Sequence, residues 1–187
     1  RATVKNPIVL RVLAGGGFEA LAAGRAVESL ERHGPFLRFR LGPPLDGAAS
    51  GGLDLVMHLM LAGRLRLAPA AGAGAKGPAT RPLPATAFSL ELDDGRTLHY
   101  GDEKSMGKVY LCPSGDFSAI PGYLTQGIDV MSPDFTYDVF SGLISRKRCQ
   151  ARVFVMDQSS LSAIGNAYAD EILFEAGIHP KAFCHAL

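Results

Sequence analysis

The sequence predicts an α+β chain in which an antiparallel β-sandwich, to about residue 115, precedes a helical domain over residues 116–187. Three observations carry this. The first half holds short runs in which β-branched and aromatic residues alternate with polar ones. Asp93-Asp94-Gly95-Arg96 separates two such runs and reads as a hairpin turn, because glycine accepts the positive φ that tight turns require. Near Asp116 the pattern changes, and apolar residues recur at helical spacing behind a serine-proline start signal.

Taken in order, residues 7–13 and 36–41 read as strands, Gly15-Gly16-Gly17 as a loop, and residues 18–24 as a short helix ended by glycine. Residues 53–67 give a long apolar strand pattern broken at Ala62-Gly63 by a turn or a bulge. Residues 68–84 are almost entirely Ala, Gly and Pro, which cannot pack a core, and predict a mobile loop. Residues 87–92 and 97–100 flank the hairpin turn, and 106–111 add one more strand. Strands separated by polar turns imply two packed sheets rather than a parallel α/β fold.

In the second half, Ser132-Pro133-Asp134 reads as a helix start, with serine as N-cap and proline in the first turn. Phe135, Val139, Phe140, Leu143 and Ile144 follow at helical spacing, and Arg146-Lys147-Arg148 closes the helix where cations complement its dipole. Residues 151–156 fit strand or helix equally by periodicity. Residues 167–176 read as a helix terminated by Gly177. Residues 180–187 begin a further helix that stops without a cap, while Arg1-Ala2-Thr3 resembles no natural start; truncation at both ends is expected.

Composition narrows the function classes. No apolar run reaches the roughly 20 residues a membrane-spanning helix needs, so no membrane span is expected. Cys112, Cys149 and Cys184 lie far apart in sequence, which fits reduced, buried thiols of a cytosolic protein better than a disulfide framework or a Cys-x-x-Cys zinc site. Net charge is only +1, yet residues 1–66 hold nine Lys/Arg against five Asp/Glu, and the Arg146–Arg148 run has Arg152 close behind. Binding nucleic acid needs a local positive face rather than a high total charge, so the composition permits it without requiring it.

The most specific stretch runs from Met156-Asp157-Gln158 through Ile164-Gly165-Asn166-Ala167-Tyr168-Ala169-Asp170-Glu171-Ile172-Leu173-Phe174 to Gly177-Ile178-His179-Pro180. Gly165 lets backbone approach a phosphate closely, Asn166 adds an amide side chain at the helix start, and the free N–H groups there form an anion site. Alone, the dipeptide reads rather as a glycine turn with an asparagine N-cap. The stretch as a whole resembles the helix-two-turn-helix signature of the formamidopyrimidine-DNA glycosylase and endonuclease VIII-like family.

Further blocks carry the same resemblance, which spans about residues 25–187 and is densest at 152–180. His58-Leu59-Met60-Leu61-Ala62-Gly63-Arg64-Leu65 resembles the family's His-Leu-Gly-Met-Ser-Gly-x-Leu, whose fourth residue enters the DNA stack at the vacated base. Leu61 takes that position, where apolar filling is the requirement; on its own it reads as a core strand residue. Asp102-Glu103-Lys104-Ser105-Met106-Gly107 is similar to Asp-Pro-Arg-Arg-Phe-Gly, which implies Lys104 toward the orphaned base and Met106 toward the stack. Lysine lacks the bidentate hydrogen bonding of arginine, and Lys104 reads equally as a solvated loop residue. Arg148 and Arg152 fall where the family places cations that touch DNA phosphate and the damaged nucleotide, although a solvated helix end also explains the basic run.

One block departs. Glu31-Arg32-His33-Gly34-Pro35-Phe36-Leu37 aligns with Arg-Arg-Gly-Lys-Tyr-Leu and puts Pro35, with no charge and no donor, where the family has an assisting lysine.

The resemblance implies a base-excision repair glycosylase with abasic-site lyase activity, acting as a monomer on double-stranded DNA with oxidised bases or abasic sites, in the cytoplasm with the nucleoid. Residues 1–115 correspond to its catalytic-type β-sandwich domain and 116–187 to its DNA-binding domain. The implied chemistry is attack by an N-terminal proline amine on the sugar of a flipped-out nucleotide, giving a Schiff base, with an adjacent glutamate moving protons. This chain opens on Arg1-Ala2 and holds no such pair, so no catalytic residue is assigned within it. Zinc is implied only for a C-terminal finger beyond Leu187. Two alternatives stand beside this: a non-catalytic binder of damaged or abasic DNA, made plausible by Pro35, and an unrelated nucleic-acid protein sharing only the helix-two-turn-helix.

Overall fold

Period-two alternation in the first half of the chain resolves into two sheets that share one core. The computed structural model describes residues 1–46, 51–70 and 83–187. Within them lie two units, Arg1–Arg32 with Phe36–Ala119 (unit one) and His33–Pro35 with Ile120–Leu187 (unit two). In chain order the first part forms β1 (Ala2–Val4), β2 (Leu10–Val12), α1 (Phe18–Ala22), β3 (Arg25–His33), β4 (Phe36–Pro44), β5 (Leu53–His58), β6 (Gly63–Ala68), β7 (Thr86–Glu91), β8 (Thr97–Asp102) and β9 (Lys108–Pro113). One sheet has the order β1-β7-β8-β6, the other β2-β9-β5-β4-β3. Pairing is antiparallel in the ladders between β4, β5 and β9 and between β1, β7, β8 and β6, while β2 runs parallel to β9.

Between the sheets, Leu55, Met57 and Leu111 of one face meet Phe88 and Tyr100 of the other, all fully buried. The Phe88 ring stacks on Tyr100 at 5.3 Å, and Phe18 of α1 closes the end of this layer at 5.1 Å from Phe88. Each such side chain contributes about 1.5–3 kcal/mol of apolar burial.

A charged group is buried on the other face of β5, opposite the Leu53, Leu55 and Met57 side. Asp54, the second residue of β5, is fully buried. Its carboxylate accepts from Arg38 Nε at 2.9 Å, from the Gly115 N–H at 2.9 Å and from the Ser114 hydroxyl at 3.3 Å. Arg38 also lies over the Phe117 ring at 5.0 Å, so the guanidinium is held on two sides.

Several elements differ from the sequence expectation for identifiable reasons. Pro7–Val9 is a turn of 3-10 helix, because the Asn6 side chain caps the Ile8 N–H at 3.1 Å and Pro7 supplies the helical φ; only residues 10–12 are strand. β3 was hidden by its polarity: it is an edge strand with most side chains in water, so it shows no apolar alternation. The break at Ala62-Gly63 is a turn over residues 60–62, closed by the Gly63 N–H on the Leu59 carbonyl, and the chain passes there from β5 in one sheet to β6 in the other. The last strand starts at Lys108 rather than 106. The Ala/Gly/Pro loop expected over 68–84 falls, for residues 71–82, outside the described residues.

Unit two contains β10 (Ile128–Asp129), α2 (Tyr137–Ile144), α3 (Ala151–Val155), β11 (Leu161–Ser162) and α4 (Asn166–Glu175). The helix expected from Ser132-Pro133 begins only at Tyr137. Thr136, not Ser132, is the N-cap and accepts from the Val139 N–H, whereas the Ser132 hydroxyl closes a local turn on the Asp134 N–H at 3.1 Å. The basic run at 146–148 therefore follows α2 rather than closing it. Phe140 packs against Phe135 and Phe154, joining α2 to the core formed by α3 and α4. Of the ambiguous 151–156 segment, Ala151–Val155 is helical and Met156 caps it. α4 ends in a Schellman turn, with Gly177 at φ +64, Ile178 N–H bonded to the Leu173 carbonyl at 2.9 Å and Gly177 N–H to Phe174 at 3.0 Å. Residues 180–187 form no new α-helix; Phe183 bridges Gln150, and a 3-10 turn follows at Cys184–Ala186.

Replacing Asp54 with alanine leaves the Arg38 guanidinium without its buried partner, which costs about 3–5 kcal/mol. Urea titration of the variant is expected to show a midpoint lowered accordingly; a loss below about 1 kcal/mol would mean the ion pair is not structural.

Candidate nucleic-acid interface

In unit one, two loops leave one sheet and enter the other side by side. β5 ends at His58, paired with Lys108 at the start of β9, and β6 begins at Gly63, paired with Asp102 at the end of β8. The segments 59–62 and 103–107 are thus strapped together at both ends. Leu61, 72% exposed, projects from the first; Lys104, exposed, and Met106, 41% exposed, project from the second. Leu61 is not a core residue.

The shape of each loop comes from polar groups below its tip. In the first, the Gly63 N–H bonds the Leu59 carbonyl at 2.9 Å and the Met60 N–H donates to His58 Nδ1 at 3.0 Å. In the second, the buried Asp102 carboxylate accepts from the Gly107 N–H at 2.6 Å and the Lys104 N–H at 3.1 Å. A Cβ at Gly107 would overlap the Tyr100 hydroxyl, so only glycine fits. Burial and the neighbouring Asp102 carboxylate push the Tyr100 phenol up to about 12.

In unit two, the Asp157-Gln158 pair braces the turn that precedes α4. Asp157 accepts from Lys147 Nζ at 2.9 Å, from the Ser159 hydroxyl at 2.5 Å and from the Ser160 hydroxyl at 2.7 Å. The Ser159 hydroxyl, Lys147 and Ser160, in that order, hold its carboxyl well below the usual carboxylate range. Gln158 donates to the Ile164 carbonyl at 2.6 Å and accepts from the Ala163 N–H at 3.1 Å, spanning the turn with one side chain. These residues form part of the recognised stretch, yet their bracing role was invisible until the turn they close was seen.

The brace delivers an open helix start. Gly165, not Asn166, is the N-cap, in extended conformation with open space around its Cα, and Asn166 is the first helical residue. Residues 165–168 are all exposed, and the first-turn N–H groups of a helix have no acceptor within it. Arg152 lies at the same end: its guanidinium donates to Asn166 Oδ1 at 3.2 Å and to Asp170 at 2.7 Å. The hydrogen bond from Arg152 lowers the Asp170 carboxyl and, reciprocally, raises the guanidinium. Arg148 is exposed nearby in sequence. Pro35 sits half-buried behind Gly34, whose φ is +53, in a turn where His33 bonds the Tyr123 carbonyl at 2.8 Å and stacks on its ring at 4.5 Å.

A signal that sequence reading lacked is backbone strain. Non-glycine residues at positive φ include Met60 at 52°, Ser105 at 52° and Ala163 at 77°. Met60 precedes Leu61, Ser105 separates Lys104 from Met106, and Ala163 lies two residues before Gly165. Such conformations persist only where surrounding structure imposes them, and they gather at functional loops.

Among the described residues no group of three or more His, Cys, Asp or Glu is placed to hold a metal ion. Cys112 lies in β9, and Cys149 and Cys184 lie in unit two, so no ligand set fits a four-cysteine zinc site. No described helix is long and apolar enough to cross a membrane.

The chain matches two family models, the formamidopyrimidine-DNA glycosylase N-terminal domain over residues 1–109 and the formamidopyrimidine-DNA glycosylase H2TH domain over residues 126–187. A formamidopyrimidine-DNA glycosylase of Chloroflexus aggregans is 33% identical over 163 residues, 87% of this chain and 53% of the relative. The crystal structure of the MutM (Fpg) protein of Thermus thermophilus superposes over 100% of this chain and 60% of its own, with TM-score 0.75 and 29% identity. The Lactococcus lactis Fpg, solved with DNA containing an abasic site, shares the fold at TM-score 0.74 and 21% identity, with 62% of its chain covered. The chain thus spans roughly half to three-fifths of the length of the relatives it matches.

Two measurements check the loop supports. Burial, reinforced by the Lys108 charge, lowers the His58 pKa below 6.5, so the unfolded chain takes up a proton first as pH falls. The stability carried by neutral His58 is complete above pH ~6.5 and is lost as pH falls through the folded value. The melting temperature of unit one should therefore drop over that window, and His58→Asn, which keeps an acceptor but does not titrate, should reduce the drop to the part carried by His99, whose pKa burial also lowers. For Gln158→Leu, the unpaired Ala163 N–H and Ile164 carbonyl cost about 1–3 kcal/mol, and amide exchange at Ala163 should quicken by roughly 10- to 100-fold.

Proposed function

Because this chain belongs to the formamidopyrimidine-DNA glycosylase family, we propose that it forms the DNA-gripping part of a base-excision repair glycosylase and abasic-site lyase acting on oxidised bases. The observation that carries this reading is the helix start at Gly165-Asn166, open to solvent, flanked by the Arg152 guanidinium and held by the Asp157-Gln158 brace. Exposed N–H groups, a helix dipole and a cation together suit a phosphate of the DNA backbone and carry no sequence information. Arg148 adds a second cation for the same strand.

Within unit one, the exposed side chains on the paired loops suit the other half of the task. Taking a damaged nucleotide out of the stack costs a few kcal/mol, and an apolar side chain filling the gap offsets part of it. Leu61 is that wedge, Met106 probes the neighbouring stack, and Lys104 faces the orphaned base. Lysine offers a point charge where arginine would give a planar fork, so discrimination among opposite bases is weaker than with arginine.

The covalent step belongs to the N-terminal proline amine that the family resemblance implies, and residues 1–115 and 116–187 serve as its catalytic-type and DNA-binding domains. The protein works as a monomer on double-stranded DNA with oxidised bases or abasic sites, in the cytoplasm with the nucleoid, and its zinc site uses cysteines outside this chain. A second reading is favoured by Pro35: with proline at the position of the assisting lysine, the protein binds damaged or abasic DNA without turnover.

Borohydride trapping of the full-length protein on a duplex carrying oxidised guanine separates the two. A covalent adduct is expected for the enzyme; tight binding with no adduct favours the binder. In the same system Arg152→Ala should weaken binding on every sequence alike and reduce the salt slope by about 1. Unchanged affinity would remove the assigned phosphate site.

A further inference from the structure

Cys149 and Cys184 are distant in sequence, yet the fold sets them opposite one another. Gln150 and Phe183 form an antiparallel bridge. Its flanking hydrogen bonds run from the Cys184 N–H to the Cys149 carbonyl at 3.0 Å and from the Ala151 N–H to the Ala182 carbonyl at 2.7 Å. In that pattern residues 149 and 184 are the hydrogen-bonded neighbours, a position where facing Cα atoms stand about 5.5 Å apart with side chains on one face. Disulfides commonly span about 5.5–6 Å between Cα atoms, a separation of the same size.

The side chains agree with the backbone. Burial first, and then the neighbouring Cys149 sulfur, push the Cys184 thiol up. Cys184 is buried, while Cys149 is half-buried and open to a small solute. Lys147, paired with Asp157 at 2.9 Å, lies close enough to interact with both sulfurs. The third thiol, Cys112, is buried in the other unit.

We propose that Cys149 and Cys184 are a reversible dithiol–disulfide site whose oxidant is a hydroperoxide. The Cys149 sulfur, as thiolate, attacks the peroxide: an S–O bond forms, the O–O bond breaks, and the leaving oxygen departs as water or alcohol with a solvent proton. The Cys184 sulfur then attacks the sulfenic acid: the S–S bond forms, the S–O bond breaks, and the hydroxide leaves as water with the Cys184 proton. The two sulfurs together lose two electrons, which the peroxide gains. A dithiol reductant reverses the change by exchange. The bridge encloses α3, the Asp157-Gln158 brace and α4, and its formation does not depend on the DNA reading.

The test treats the full 187-residue chain with a small excess of hydrogen peroxide under non-denaturing conditions. Expected are a mass loss of about 2 Da, a peptide joining Cys149 to Cys184, reversal by dithiothreitol, and a melting temperature raised by roughly 5 °C. Cys112→Ser should behave the same. Cys149→Ser, which alters a half-buried position and should melt like the reduced protein, should give no loss. A gain of about 16 Da without bridging, a bridge to Cys112, intermolecular dimers alone, no reaction, or a 2 Da loss that survives in Cys149→Ser would each overturn the assignment.

Discussion

Side chains that must reach into a ligand cannot also anchor the loops that carry them, because a tip residue left in water contributes no burial. Leu61, Lys104 and Asn166 are all exposed, so the loops beneath them take their shape from polar groups one layer down. His58 and Asp102 do this in unit one, and Asp157 and Gln158 in unit two. Each accepts a backbone N–H within a few residues of its own position, so the anchor is local and sensitive to geometry. The positive φ values at Met60, Ser105 and Ala163 are the conformational cost of this arrangement.

The sandwich supplies what such anchors need, which is a fixed platform. Two sheets sharing the Leu55, Met57, Phe88 and Tyr100 layer set the ends of β5, β6, β8 and β9, and the two loops start from those ends. Asp54 and Arg38 tie the same β5 strand to β4 on its other face. A buried ion pair is weak evidence for added stability, but it opposes any slip of β5 that would strand a charge in the core. Helical packing performs the platform role in unit two, where α3, with Phe154 buried, supports α4.

Much of this was legible in the sequence, and the exceptions follow a physical pattern. The hairpin at Asp93–Arg96 and the stop of α4 at Gly177 were readable because their signals are local, a glycine at positive φ in each. β3 was not readable, because an edge strand in water loses the alternation that marks buried strands. Residues 7–9 and 132–134 misled for the opposite reason, since Asn6 and Ser132 each satisfy backbone N–H groups in a turn instead of launching the element expected. At the candidate site, the exposed residues were found by motif, whereas Asp102, Gln158 and the Cys149–Cys184 juxtaposition needed contacts that no spacing rule encodes.

The paired strapping of the two loops in unit one sets a rule about length. Because His58 is registered on Lys108 and Gly63 on Asp102, each segment has a fixed gap to span. An inserted or deleted residue in either one cannot be absorbed at the tip without shifting a ladder by one position, and a one-residue slip turns every side chain of that strand to the opposite face. The chemistry of the tips is thus free to diverge by substitution, as leucine and lysine in these positions illustrate, while their residue count is held by the hydrophobic layer underneath.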